Sequence, residues 1–438
     1  MQIPGQLVSF NETTVRYEAF FTFKAYTNTI PFKITAPELQ HAEQFVYVFS
    51  DLFPGLIDFD NKTIRPLMKN TPELRKTIDD FVDLHKGKLP QLNAVSAFFR
   101  TLTEDELFFV FPFEKMPPEF SIMLYNYLAA IVEDKDFNTL QSQMNELFGE
   151  LLKKYTISAY GETRRIIGER NKTKRICRFC NNTREPLTFG SVAHAISEGL
   201  GNKTLILNEE CDGCNEYFSQ TIEQDIIEYF AFARTMYGIK GKGGNKAFVG
   251  KNFKFKNTPS LELQFEDGTD SKEVTSPLKI PLHSSHKITA QNIYRCFCKY
   301  FLSVIDADLL PSFSKTIDWI NGKFTPEKLP KITQFIFYGR LQSQPTIVAY
   351  IRKDDDKRLP FAVCEFHFAF YRYIFIVPFC DKDEADFISD AEYSTFWSTF
   401  THFTKVPGAS FHDFSDSKER EMILNIEIEL TEKEDSKK

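Results

Sequence analysis

Four cysteines in two Cys-x2-Cys pairs, Cys177 with Cys180 and Cys211 with Cys214, constrain this chain more than any other feature. Each pair presents two sulfurs from one tight turn, and two such turns supply the four soft ligands that a tetrahedral Zn2+ ion takes. Eight cysteines in 438 residues, with no basic stretch followed by an apolar one at the N-terminus, do not read as a disulfide framework. Four thiolates close the coordination sphere, so an ion held this way is structural and performs no chemistry. It staples a segment too small to bury a core of its own. Function is therefore to be read from the residues between and just after the pairs.

Between the pairs run His194-Ala195-Ile196, Leu200-Gly201 and Asn208, and Asn215 follows Cys214 directly. In this order and near this spacing they resemble the HNH endonuclease superfamily, over residues 177 to about 230. The resemblance implies a ββα-metal fold, here stapled by zinc. The local pattern agrees: residues 187–194 suit a first strand, 199–202 a turn and 204–207 a second strand. From Asp212 onward a helix is expected, with Tyr217, Ile222, Ile226 and Phe230 as a partial apolar stripe.

The resemblance also implies chemistry. Phosphodiester hydrolysis needs a water deprotonated near neutral pH and a cation opposite the leaving oxygen. His194 is then the general base, Asn208 holds the loop or orients the imidazole, and Asn215 holds a catalytic Mg2+ or Mn2+ through its amide oxygen. One position departs from the pattern. Many members carry an acid directly before the histidine, and this chain has Ala193, with Glu198, Glu209 and Glu216 nearby in sequence.

Ahead of the first pair lies a basic run, Arg164, Arg165, Arg170, Lys172, Lys174, Arg175 and Arg178, with Glu169 its only acid. The whole chain has a formal charge of −7, so a nucleic acid has to be met by a local patch, and this run is the candidate. DNA is the substrate that the resemblance implies ahead of RNA, with restriction or anti-phage defence as the setting. Ala193 leaves open a second reading, a non-catalytic zinc-dependent nucleic-acid-binding protein with a degenerate nuclease site. In a third, the module is only a staple and the C-terminal region senses a ligand or offers a partner surface.

A chain of 438 residues exceeds one comfortable core, and its 46 Phe against 2 Trp point to large apolar interiors. Residues 1–160 read as a mixed, mainly helical domain: 17–23 and 45–49 are strand-like, while 72–85, 103–109, 119–132 and 137–155 carry helical spacing. The basic segment and module occupy 161–237, and a glycine-rich breaker at 238–245 opens the domain 238–438. There, strands at 248–255, 261–265, 334–339, 346–351, 361–368, 373–379 and 422–430 follow one another with helices only at 289–305 and 312–320. The expected fold class is α+β and multi-domain, the zinc module lying between a mainly helical N-terminal region and a C-terminal antiparallel-sheet region.

Other polar residues read as structural. Cys296 and Cys298 face apart on a helix, Cys364 and Cys380 sit in or beside buried strands, and His283 and His286 lack two further ligands. Glu365 and His367 share a strand face as a hydrogen-bonded pair, and Asp354-Asp355-Asp356 is a solvated turn. Apolar runs at 107–113 and 373–379 are too short to span a bilayer, and 431–438 is a short polar tail. A cytoplasmic protein without membrane contact is expected, with homodimerisation or a regulatory partner assigned to the flanking domains.

Overall fold

The computed structural model describes residues 7–12, 14–113, 118–161, 164–241, 244, 246–257, 260–265, 278–337 and 342–428. The polar tail, the ends of the expected strands at 338–339 and 429–430, and residues 242, 243 and 245 of the glycine-rich breaker lie outside the described residues. Contacts divide the chain into Met1–Gly149 and Glu150–Lys438. The expected boundaries near 160 and 237 thus fall inside the second unit, where the zinc module shares one core with the sheet that follows it.

The first unit is a five-stranded antiparallel sheet covered by helices. Its central strand, Arg16–Lys24, pairs with Val8–Asn11, Thr29–Ala36 and Leu107–Phe111. Phe21, Phe23, Phe49, Phe53, Phe98, Phe99 and Phe108 are each at most 1% exposed, and Phe21 meets Phe49 edge-on at 4.7 Å. Rings of one type fill this core by tilted and edge-to-face contacts, the arrangement that the aromatic quadrupole favours.

Two local expectations are corrected here. Residues 45–49 belong to the helix Leu39–Ser50, in which Ala42, Val46 and Phe49 are buried while Tyr47 and Val48 are 51% and 47% exposed. A continuous apolar run has no period of its own; the buried positions, four and three apart, have the helical one. Residues 103–109 are a turn and then a strand. The Glu106 carboxylate accepts the Thr103 amide at 2.8 Å, Asp105 has φ +65°, and the chain extends as Leu107–Phe111.

The second unit is built on a six-stranded antiparallel sheet, in the order Ser410–His412, Ile332–Ile336, Tyr371–Ile376, Ala362–Ala369, Gln342–Arg352 and Tyr155–Tyr160. One face carries the helix Ala290–Val304, whose Phe297 lies 5.1 Å from Phe366 and 5.3 Å from Phe375. Nearly all of this helix is buried, Cys296 and Cys298 included, although they point to different sides. A helix buried all round is clasped between two layers: here the sheet lies on one side and the zinc module on the other. The opposite sheet face packs against Asp390–Thr399 and Thr401–Thr404, with Phe400 against Tyr350 and Phe403 against Phe335. The ribbon Leu278–Thr289 with Glu419–Ile428 and the meander Phe248–Val249, Phe253–Asn257, Leu261–Phe265 complete the unit. Among the described residues no helix is long and apolar enough to cross a membrane.

Candidate metal centre and catalytic site

The four cysteine sulfurs, from residues 177, 180, 211 and 214, lie within 4.8 Å of one another, and the Cys180 and Cys211 sulfurs are 3.6 Å apart. A tetrahedral zinc with Zn–S bonds of ~2.3 Å has S···S edges of about 3.8 Å, whereas a disulfide requires ~2.05 Å. The donor set fits an ion. Local hydrogen bonds shape the first turn: Asn182 accepts the Cys177 amide at 2.7 Å, while Asn181 and Asn182 adopt φ +48° and +62°, a region Asn tolerates better than most residues. The Cys211 amide points at the Cys177 sulfur at 3.5 Å, and Cys211 caps the helix Asp212–Gln220, whose N-terminal dipole favours thiolate charge. Gly213 has no substitute here, since a Cβ would lie 2.6 Å from the Glu185 carbonyl oxygen.

Two strands and this helix form the frame around the centre. The strand Ala193–His194 pairs antiparallel with Leu205–Leu207, and Arg165–Ile167 adds a parallel third strand. Of the expected first strand, 187–194, only the last two residues are extended. The loop before them is gathered by Asp212, which accepts Gly190 and Ser191 amides at 2.9 Å each and the Thr188 hydroxyl. Burial pushes the Asp212 carboxyl up, but these hydrogen bonds outweigh it and hold it at about 2. Asp212 stands in the first turn of the helix, not at its cap.

Ala193 and its partner Leu207 face the core, so His194 and Ile206 occupy the opposite, half-buried face. Asn208, just past the second strand, ties its amide to the Ile167 carbonyl at 2.9 Å and its side-chain nitrogen to the Glu169 carbonyl at 3.1 Å. It thereby fastens the basic segment to the frame. Asn215 is half-buried on the helix, and its side-chain amide has no hydrogen-bond partner among the described residues.

The acids named as replacements at Ala193 are differently placed. Glu209 is bonded to Arg178 at 2.9 Å and to the Glu169 amide at 2.9 Å, and Gly168, at φ +87°, lets the chain pass where a Cβ would lie 2.5 Å from it. Glu216 is exposed and accepts from Gln220, while the turn Glu198–Leu200 packs against Ile227 and Arg234. An acid at 193 itself would be buried in the core.

Of the basic run, Arg164, Arg165, Arg170, Lys172 and Lys174 are exposed. Arg175 is half-buried and bonded to the Glu169 and Arg170 carbonyls. Arg178 leaves the patch altogether. Its side chain is 4% exposed, and it is consumed by Glu209 and by the Leu302 and Ile305 carbonyls at 3.2 and 2.7 Å. A guanidinium buried and bonded in this way anchors the first knuckle to the helix Ala290–Val304 and is withdrawn from the exposed patch.

Two groups are not visible in the local pattern. By sequence Asp212 is no more than a helix-start residue. Lys299, buried at 1% exposure, lies 3.0 Å from Glu210 and 3.2 Å from Glu223, and donates to the His194 carbonyl at 3.3 Å. Burial alone would lower the Lys299 pKa, but the two carboxylates reverse this and raise it, so the ammonium stays charged. A lone Lys within the apolar stretch 296–302 is the one signal that the sequence offers.

Elsewhere, Glu365 and His367 are indeed bonded at 2.7 Å, in a buried cluster with Tyr350 and Arg372. His283 pairs with Glu421 at 2.8 Å and His286 lies 3.8 Å from Glu228. The aspartate turn binds Lys154 and Arg358.

Residues 177–231 match the family model described as HNH endonuclease. No curated protein and no solved structure matches the chain.

Proposed function

We propose that this HNH module hydrolyses phosphodiester bonds in DNA, with His194 as general base. The observation that carries the reading is the coincidence of the family match with a zinc-stapled frame whose histidine is on the half-buried face, away from the core. The imidazole takes a proton from the attacking water, a role worth about 10²–10⁴ in rate. Asn208 keeps the basic segment against the strand, and Arg164, Arg165, Arg170, Lys172 and Lys174 hold the phosphate backbone without reading sequence.

The oxygen donors for a hard cation fit best at the helix start. Asp212 and Asn215 are three residues apart and share a helix face. The Thr188 and Ser191 side chains and the Gly190 and Ser191 amides hold the Asp212 carboxylate, so a cation here would displace a hydroxyl donor beside the unpartnered Asn215 amide. Mg2+ or Mn2+, when bound, supplies positive charge against the phosphate and its leaving oxygen. The zinc, closed by four sulfurs, takes no part in the reaction.

None of the eight cysteines forms a disulfide, which suits a reducing cytoplasm. Restriction or anti-phage cleavage is the proposed setting, with the flanking regions serving target recognition, a homodimer or a regulatory partner. The buried Ala193 favours one competing reading, a module that binds nucleic acid without cutting it. Supercoiled plasmid incubated with the protein and Mg2+ or Mn2+ separates the two. Nicking or linearisation lost in His194→Ala supports the nuclease; salt-dependent binding without any product supports the degenerate site.

A further inference from the structure

We infer that Lys299, outside the matched segment, is a positioning residue for the nuclease site and sets the pose of His194. The inference rests on the reading of His194 as the base. A single ammonium meets several segments of the module. It donates to the His194 carbonyl at 3.3 Å, lies 3.0 Å from Glu210, which precedes the third zinc ligand, and 3.2 Å from Glu223 on the helix Ile222–Tyr229. Phe179, between the first two zinc ligands, and Phe218, on the helix Asp212–Gln220, both lie 5.8 Å from it. An ammonium has three N–H donors, and three oxygens surround this one.

The contact matters because of where His194 stands. Its strand is only two residues long, Ala193 and His194, and one further backbone hydrogen bond, from the Ala195 amide to the Leu205 carbonyl at 3.1 Å, continues the pairing. The strand is fixed at one end by the Asp212 loop, and at the His194 carbonyl by Lys299. Lys299 is itself carried by a helix that is buried against the six-stranded sheet. Lys299 thereby ties the His194 backbone directly to the helix on the sheet of this unit, and Ser197, bonded to Tyr300 of the same helix at 2.6 Å, holds the chain three residues on. The alternative role is purely electrostatic, with Lys299 present only to offset two buried carboxylates.

Charge and position are separable by substitution. The triple variant Lys299→Met/Glu210→Gln/Glu223→Gln removes the buried charges together and also removes the bond to the His194 carbonyl. Positioning predicts parent-like zinc content and melting, with kcat lower by on the order of tenfold to a hundredfold at little-changed KM, as misplacement of a catalytic group produces. It also predicts a displaced or broadened His194 ring signal in spectra of histidine-labelled protein, assigned by its loss in His194→Ala. Parent kcat and an unmoved ring signal in the zinc-loaded triple variant would overturn the inference. If the triple variant does not fold, Lys299→Arg and Lys299→Met are compared at equal zinc content. Arg keeps the charge but moves the donors, so a displaced His194 ring signal and lowered kcat in Lys299→Arg as well as in Lys299→Met support positioning, and a parent-like ring signal and kcat in Lys299→Arg overturn it. A parent chain that cuts no DNA defeats the nuclease reading, while the ring signal still decides whether Lys299 positions His194.

Discussion

The N-terminal unit and the zinc module reach an ordered interior by opposite means. In residues 1–149 the core is made by many phenylalanines, each contact small and none indispensable. In residues 177–231 the frame is short: two extended residues, three more opposite them, and a helix of nine residues. It is held by four sulfurs and by side chains anchored to a helix more than fifty residues downstream, Arg178 and Lys299 being the chief links. The first kind of core degrades gradually. The second depends on a few specific bonds, a consequence of presenting a histidine on so little secondary structure.

Metal removal should widen this contrast most. Structural zinc contributes apparent binding energy of about 10–16 kcal/mol in small modules. Stripping it with a strong chelator, or replacing Cys214→Ser, should abolish or sharply lower the thermal transition of the second unit, while that of residues 1–149 stays in place. Calorimetry that shows both transitions moving together would break the comparison. The reverse experiment is Phe49→Ala, expected to cost about 3–5 kcal/mol in the N-terminal unit and to leave the zinc content unchanged.

How much of this is open to reading from the sequence follows the same division. The metal centre is legible because its chemistry lies in the spacing itself, and the strand Leu205–Leu207 and the helix from Asp212 follow from local pattern. The helix at 72–85 is equally plain, with Thr71 capping it and Pro72 in its first turn. The run 45–49 is not, since five apolar residues fit either period until burial selects one. Arg178 belongs by charge to the basic run, and only its distant partners remove it. Lys299 is hidden for the same reason: its three oxygens come from residues 194, 210 and 223. What escapes the sequence is each polar residue whose partners are far along the chain.

Acid should also distinguish parts of the molecule. Burial pushes the Glu365 carboxyl up, but hydrogen bonds from His367 and His402 and the charge of Arg372 outweigh it and hold it below its ordinary 4.5. A depressed carboxylate stabilises the folded state above the unfolded value and loses that contribution as pH falls through the folded one. Denaturant titrations should therefore show the second unit weakening below about pH 4.5, and Glu365→Gln should flatten that part of the curve. A curve unchanged by the substitution would remove Glu365 as the source.

The smallest effect concerns the basic segment. Lys172→Ala with Lys174→Ala should weaken DNA binding and reduce the slope of log K against log salt by about 0.9 for each phosphate no longer neutralised. Arg178 variants should instead lower stability, because its partners are protein groups. A salt slope that changes only with Arg178 would reverse the assignment.

In the proposed reading the zinc is a staple, and the chemistry belongs to His194 with a second, hard cation. That assignment is tested most directly by measuring DNA cleavage by the zinc-loaded chain before and after adding Mg2+ or Mn2+, with zinc content followed throughout. The account predicts no cleavage by the zinc form alone and cleavage on addition, at constant zinc. Cleavage by the zinc-loaded chain in the absence of any other divalent ion would contradict it.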